Sequence, residues 1–174
     1  GAAECALGAL MCGGKVIVVD GFDQEKICKL IATEELGWLL LMPGMVGALA
    51  AELKAQKNKA RGVKVCGVMA DLVPPREIAE ITRLLNAPYA NTFGATETGC
   101  PPCSSNLLPI GIIPESLSKE QRPFCEIKLV DAEGREVEDG SPGELCMRGP
   151  TLFSGYWLDT KANKKDFRGS WFHM

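Results

Sequence analysis

The first half of the chain alternates between apolar runs and helical segments, and this alternation constrains the fold more than any other feature. Apolar, β-branched runs at residues 15–19, 38–42, 63–68 and 90–93 predict strands. Residues 2–11, 24–35, 46–57 and 75–85 have the composition and spacing of helices. Strands joined by helices pair in parallel, so the pattern predicts an α/β fold, a parallel-sheet lobe with helical crossovers.

Local features indicate where these helices begin and end. Gly13-Gly14 is expected to end the first helix, and Asp23 is a good N-cap for the second. Pro74-Pro75 can open the last helix because proline is tolerated in a first turn. The apolar side chains expected to face the core from the second and third helices are Ile27, Leu30, Ile31, Leu49 and Leu53.

The pattern changes after Gly99. Residues 100–124 carry five prolines and little periodicity, which predicts a loop. Residues 126–131 and 143–148 follow as predicted strands, and residues 132–135 as a turn. We therefore predict two domains: an α/β lobe over residues 1–100, and a loop-rich, small β-rich subdomain over residues 101–174.

Composition excludes some classes of function. The chain is 46% apolar and 24% charged, with a net charge of −3, which argues against a nucleic-acid partner. A basic cluster at residues 54–61 is expected to be the solvated end of a helix. No apolar run is long enough for a membrane span, and no signal peptide is visible. The cysteines lack the density of a secreted disulfide scaffold, which predicts a reducing, cytoplasmic location.

Eight cysteines occur, mostly within apolar stretches, where a reduced cysteine behaves as a small hydrophobic residue. We expect them to be reduced and most of them to be buried. Cys100 and Cys103 have the spacing of a redox pair or of half a zinc site. The second Cys-x-x-Cys that a zinc site needs is missing, and prolines fill both middle positions, so a loop is the favoured interpretation.

Residues 91–99, Asn-Thr-Phe-Gly-Ala-Thr-Glu-Thr-Gly, combine side chains that suit a nucleotide. An aromatic ring can stack on a base, and a glycine lets the backbone approach a ligand. A threonine hydroxyl can donate to a phosphate, and a glutamate can bind Mg²⁺. The alternative is a Gly/Thr-rich loop that follows a strand and has no ligand.

This segment resembles the Tyr-Gly-x-Thr-Glu signature of the adenylate-forming acyl-CoA synthetases. Residues 143–150, 155–157 and 169–173 are similar to that family's Gly-Glu-Leu, Gly-Tyr and Gly-Trp-Phe/Leu-His motifs, in the same order. Gly8-Ala9-Leu10, Gly13-Gly14, Phe22-Asp23 and Met42-Pro43 also match the family. The resemblance covers nearly the whole chain.

The resemblance implies roles for individual residues. Phe93 would stack on adenine; the alternative is an aromatic ring in the core. Thr96 would contact the α-phosphate; the alternative is the hydroxyl of a helix N-cap or of a turn. Glu97 would bind Mg²⁺; the alternative is a solvated acid. Met69 and Ala70, in a loop similar to the family's adenine loop, would line the base. The nucleotide-binding set is Met69, Ala70, Asn91, Thr92, Phe93, Gly94, Ala95 and Thr96. Thr96 and Glu97 would be catalytic, whereas His173, Ser104 and Ser105 are assigned no chemistry.

The family activates a carboxylic acid with ATP as an acyl-adenylate and passes the acyl group to a thiol, usually that of coenzyme A. The family's Ser/Thr/Gly-rich phosphate loop, its ribose-binding aspartate and its catalytic-lysine domain have no counterpart in this sequence. We therefore expect the middle part of such an enzyme, inactive by itself. The alternatives are a non-catalytic AMP-binding module or structural fragment and, less well supported, a flavodoxin-like domain, in which the Gly-Glu-Leu and Gly-Tyr motifs would have no role.

Overall fold

The computed structural model describes the chain except for Gly1, Asn58, Cys100 and the side chains of residues 2–4. Its helices are α1 (Ala2–Met11), α2 (Gln24–Thr33), α3 (Val46–Gln56), α4 (Pro75–Leu85) and α5 (Thr160–Asp166), with short 3₁₀ turns at Pro43–Met45 and Ala70–Leu72. Its strands are β1 (Glu35–Leu36), β2 (Gly62–Val63), β3 (Thr92–Phe93), β4 (Cys103–Ser104), β5 (Glu120–Gln121), β6 (Glu126–Val130), β7 (Glu144–Arg148), β8 (Phe167–Arg168) and β9 (Trp171–His173).

The chain forms two compact units, and both are discontinuous in sequence. The first contains residues 1–93 and 105–119, and the second contains residues 94–104 and 120–174. The boundary predicted at residue 100 thus lies later than the division seen here, and residues 105–119 return to the first unit. They are held there because the Thr82 hydroxyl accepts from the Gly111 amide at 3.0 Å and Leu108 pairs with Tyr89.

Helices α1 to α4 lie close to where the sequence placed them because their termini have local causes, whereas α5 was not predicted. Gly13 has a left-handed φ of 74°, and the amides of Gly13 and Gly14 bond back to Leu10 and Ala9, which ends α1. Asp23 caps α2 by accepting from the Lys26 amide at 3.0 Å. Helix α4 begins at Pro75 as expected.

The first unit contains a short parallel ladder. Glu35 and Leu36 pair with Gly62 and Val63, and Leu39 pairs with Cys66 in the same register. Cys66 pairs in parallel with Tyr89, which in turn pairs antiparallel with Leu108. Helices α2, α3 and α4 pack on the core with a shared set of buried side chains: Ile31, Val46, Leu49, Leu53, Ile78, Ile81 and Leu85. The α/β class is confirmed, with a shorter ladder than the sequence suggested.

Two predicted strands differ from the structure. Residues 15–19 were expected to form a buried strand, but they are extended without a ladder, and Val18 is 82% exposed. A strand needs a hydrogen-bonding partner, and the described residues supply none beside this segment. Residues 38–42 form only the bridge at Leu39, and Trp38 and Met42 are half exposed around a buried Leu41.

The second unit is built on a four-stranded antiparallel sheet in the order β6-β7-β9-β8, with β4 and β5 as a separate antiparallel pair. Strands β6 and β7 fall where the sequence predicted them. Asp131 closes the intervening turn because one of its carboxylate oxygens accepts from the amides of Glu133 and Arg135. Phe153, Tyr156, Phe167 and Phe172 form a chain of aromatic contacts beside the sheet.

Candidate functional site

The nucleotide-like signature is divided between the two units. Asn91, Thr92 and Phe93 belong to the first unit, and residues 94–99 belong to the second. The surroundings of each part are therefore given within its own unit.

Asn91 carries an unusual buried polar atom. The residue is 1% exposed, and its Nδ2 donates to the Ser105 hydroxyl at 2.8 Å and to the Leu117 carbonyl at 3.3 Å. Its Oδ1 is buried and has no hydrogen-bond partner among the described residues. An unsatisfied buried acceptor costs about 1–3 kcal/mol and is rare in native proteins.

The loop over residues 67–71, similar to the family's adenine loop, is held rigidly in the first unit. Gly67 has a φ of 69°, and a Cβ at this position would overlap the Tyr89 ring. The Tyr89 hydroxyl donates to the Val68 carbonyl at 3.0 Å, and Trp38 Nε1 donates to the Gly67 carbonyl at 3.1 Å. Burial raises the pKa of Tyr89 to about 12, so its hydroxyl stays protonated and remains a donor.

Met69 and Ala70 have different surroundings. Met69 is half-buried in a left-handed conformation with a φ of 52°, and its amide points to the Thr92 hydroxyl at 3.5 Å. Ala70 is fully buried in the core and offers no surface to a ligand in this conformation. Phe93, at the end of β3, is half-buried, so part of its ring is accessible. Of the two residues predicted to line the base, Met69 is the accessible one.

In the second unit, a tight turn presents Thr96. The Thr98 hydroxyl is buried; it accepts from the Ala95 amide at 3.1 Å and donates to the Ala95 carbonyl at 2.9 Å. Gly99 closes the turn with a φ of 65°, where a Cβ would overlap the Thr151 carbonyl oxygen. Thr96 is exposed at the corner, and its hydroxyl makes no hydrogen bond within the described parts of the chain. It begins a turn and caps no helix.

Glu97 is fixed at its backbone and at one carboxylate oxygen. Its carbonyl accepts from the Phe153 amide at 2.9 Å, and its Oε1 accepts from the Tyr156 hydroxyl at 3.1 Å. Burial and then the bond to Glu97 raise the pKa of Tyr156, so the phenol stays protonated. The other oxygen, Oε2, makes no hydrogen bond or ion pair with any residue the structure describes. The half-buried side chain therefore has one oxygen available for a cation.

Asn163 on α5 holds Tyr156 in place. Its Oδ1 accepts from the Tyr156 amide at 2.7 Å, and its Nδ2 donates to the Tyr156 carbonyl at 2.9 Å. Gly155 has a φ of 128° and lies so close that a Cβ would sit 2.8 Å from Asn163 Oδ1. The Phe153 ring meets the Tyr156 ring edge-on at 4.9 Å. Sequence reasoning assigned none of these residues a role, although the Gly155-Tyr156 motif was visible.

The remaining cysteine and serine expectations have simpler outcomes. Cys103 is buried in β4, whereas Cys100 lies outside the described residues, so the loop interpretation of the Cys-x-x-Cys segment stays a prediction. The Ser104 hydroxyl accepts from Arg122 at 3.4 Å, and the Ser105 hydroxyl bonds to Asn91 and Asn106. Neither serine has an imidazole partner, because the single histidine, His173, bonds to Glu144.

A depression of about 420 Å³ in the first unit lies apart from the predicted site residues. Its lining is made of polar side chains on α2 and at the end of α3: Asp23, Glu25, Lys26, Lys29 and Gln56. None of the predicted nucleotide contacts is among them, and ligand sites are usually concave and mostly apolar. We read this depression as a solvated helix surface.

Residues 2–157 match the family model described as AMP-binding enzyme. The chain is 27% identical over 165 residues to an indoleacetate–CoA ligase from Aromatoleum aromaticum, covering 94% of this chain and 32% of the relative. It is also 27% identical over 164 residues to the medium/long-chain-fatty-acid–CoA ligase FadD8 from Mycobacterium tuberculosis, covering 92% of this chain and 28% of that relative. It therefore spans about a third of the length of these relatives.

Solved structures agree on the fold. A benzoate CoA ligase from Burkholderia xenovorans superposes with a TM-score of 0.76 at 17% identity, over 93% of this chain and 33% of that one. At this identity the likeness shows the fold alone. Within the described residues, no helix is long and apolar enough to cross a membrane.

Proposed function

The chain belongs to the AMP-binding enzyme family, and we propose that the protein containing it is an AMP-forming acid–thiol ligase, an acyl-CoA synthetase. In this proposal, ATP activates a carboxylic acid as an acyl-adenylate with release of pyrophosphate, and the acyl group then passes to coenzyme A. The observation that carries the proposal is the bond between Glu97 and Tyr156, which joins two family motifs 59 residues apart in sequence.

The nucleotide is proposed to bind through the residues already singled out: Met69, Ala70, Asn91, Thr92, Phe93, Gly94, Ala95 and Thr96. The accessible part of the Phe93 ring would stack on adenine, and Met69 would line the base. Ala70 would act only by supporting the loop, because it is buried. Asn91 is buried as well, so in this conformation it would act by holding Ser105 and Leu117 and not by touching the ligand.

Thr96 and Glu97 are proposed to stabilise the charge that develops on the α-phosphate. The exposed Thr96 hydroxyl is available to donate to a phosphate oxygen. Glu97 suits Mg²⁺ because one carboxylate oxygen lacks a partner among the described residues; one carboxylate makes a weak site that relies on substrate phosphates as well. When bound, Mg²⁺ supplies positive charge to the phosphate oxygens.

The test is pyrophosphate release by the protein from ATP and Mg²⁺ with a panel of carboxylic acids, followed by acyl transfer to coenzyme A. The panel includes both aryl-acetic and fatty acids, because relatives of both kinds are similar to this chain. The 174-residue chain alone is expected to be inactive. AMP binding by the whole protein without pyrophosphate release from any acid would favour the non-catalytic AMP-binding module instead.

A further inference from the structure

Three metal-ligating side chains meet on the sheet of the second unit, and none of them belongs to the proposed nucleotide site. Glu144 and Cys146 are two residues apart on β7, so their side chains lie on the same face. His173 on β9 is paired directly opposite Cys146, which places it on that face too. We call Glu144, Cys146 and His173 the cross-strand trio.

The ligand atoms of the trio converge on one point. Cys146 Sγ lies 3.2 Å from His173 Nδ1, and that nitrogen lies 2.8 Å from Glu144 Oε2. The nitrogen carries at most one proton, so it cannot donate to both neighbours at once. If it donates to the carboxylate, the thiol cannot use it as an acceptor. The Cys146 thiol is then left with two longer acceptors, His173 Nε2 at 3.8 Å and the Glu144 carbonyl at 3.9 Å, so its 3.2 Å contact with Nδ1 is not a hydrogen bond.

We propose that the cross-strand trio binds a divalent transition-metal ion of the Zn²⁺ type. Thiolate, imidazole and carboxylate are all zinc ligands, and a thiolate with an imidazole selects against Mg²⁺ and Ca²⁺. Tetrahedral zinc separates its sulfur and nitrogen ligands by about 3.5 Å and its nitrogen and oxygen ligands by about 3.4 Å, given the usual bond lengths. The three ligand atoms here all lie within 4.8 Å of one another, so small side-chain rotations suffice.

The burial of the three side chains suits a metal ion that links strands β7 and β9. Cys146 is fully buried, His173 is half-buried and Glu144 is at the surface, so a metal could enter from the Glu144 side and leave a fourth position for water. Bound metal would tie β7 to β9. Arg168 competes with the metal because its guanidinium forms an ion pair with Glu144 Oε2 at 3.0 Å.

Cobalt(II) is the probe, because a thiolate bound to it gives a charge-transfer absorption band. We expect the purified, reduced protein to bind about one Co²⁺ with such a band, as expected for one site of this ligand type, and Zn²⁺ to displace it. Cys146→Ser should abolish the band, and the exposed Cys12→Ser should retain it. Arg168→Gln should tighten metal binding severalfold by removing a competing positive charge.

Cys100→Ser tests whether the metal binds at the Cys-x-x-Cys pair and should retain the band. Far-UV circular dichroism checks that each variant is folded. Glu144→Gln, at an exposed position, is the second ligand variant and should weaken binding even if Cys146→Ser fails to fold. The proposal is overturned if the unsubstituted protein shows no thiolate band, since the trio would then be only a hydrogen-bonded cluster. Loss of the band in Cys100→Ser with retention in Cys146→Ser would overturn it as well.

Discussion

At the scale of single residues, Glu97 is the most firmly positioned of the proposed catalytic groups. Its backbone is held by Phe153 and one carboxylate oxygen by Tyr156, while the other oxygen has no partner in the described chain. A purely solvated acid would not need such a fixed partner. The arrangement suits a group that must be in place before charge develops on a phosphate.

Glu97→Gln in the protein should lower kcat for adenylation by roughly two to three orders of magnitude, the usual size for losing one preorganised electrostatic group. The amide keeps the shape and removes the charge. Pyrophosphate release across ATP and Mg²⁺ concentrations measures the effect, and the exposed Glu138→Gln in the same unit is the control. A kcat near that of the unsubstituted enzyme would show that Glu97 is only a surface acid.

Tyr156→Phe should lower kcat about tenfold, since it removes one hydrogen bond to a charged group and leaves the edge-on contact with Phe153. If the hydroxyl acts by positioning Glu97, its effect should largely vanish in a Glu97→Gln background. A double-mutant cycle on kcat measures this coupling. Additive effects of the two substitutions would contradict the positioning role.

Phe93→Ala should act differently from both. It removes a stacking surface that the ground state and the transition state share, so it should mainly raise KM for ATP and leave kcat nearly unchanged. Initial rates at saturating acid and varied ATP test this. A large fall in kcat with unchanged KM would contradict the stacking role.

At the scale of elements, the loop over residues 67–71 depends on a close approach of backbone to ring. Gly67 and Gly21 lie in the same unit and have similar left-handed φ values of 69° and 66°. Only at Gly67 would a Cβ meet other atoms, those of the Tyr89 ring; nothing lies within 4 Å of a Cβ at Gly21. Substituting alanine at each glycine therefore distinguishes the cost of a left-handed backbone from the cost of steric overlap with the Tyr89 ring.

Gly21→Ala should lower the free energy of unfolding by about 1 kcal/mol, the cost of a left-handed residue with a side chain. Gly67→Ala adds overlap with a buried ring and should lower it by roughly 2–4 kcal/mol, the sum of that cost and the usual cost of overpacking. Urea denaturation of the two variants measures the difference. Equal losses would mean that the Tyr89 ring moves aside freely.

At the scale of the whole molecule, the buried cysteines are distributed between the two units. Cys28 and Cys66 are buried in the first unit, and Cys103, Cys125 and Cys146 are buried in the second. Cys12 is exposed and Cys5 is half-buried. Burial raises the pKa of the Cys66 thiol to about 12, which lowers its reactivity further.

Thiol titration of the native, metal-free protein should therefore modify few cysteines of this chain rapidly, Cys12 first among the described ones. Denaturation without reductant should reveal all eight, if they are reduced as the sequence predicts. The count is made on this chain by mass spectrometry after alkylation. A shortfall of two would indicate a disulfide, with Cys100 and Cys103 the first pair to examine.

The sequence by itself determined helices α1 to α4 and the family, whereas α5 was not predicted. Asp23 supplies a cap, Gly13 a left-handed terminus and Pro75 a first turn, and each acts within a few residues of its own position. The motifs of the family are likewise contiguous runs of residues. Such features can be read from the chain because their physical cause is local.

Only the tertiary structure decided the pairing of strands and the support of the candidate site. Residues 15–19 have strand composition but no ladder, because pairing depends on a partner that local sequence does not specify. The bond from Tyr156 to Glu97 and the convergence of Cys146 with His173 join residues far apart in sequence. Contacts of this kind depend on distances of about 3 Å, which only the folded chain sets.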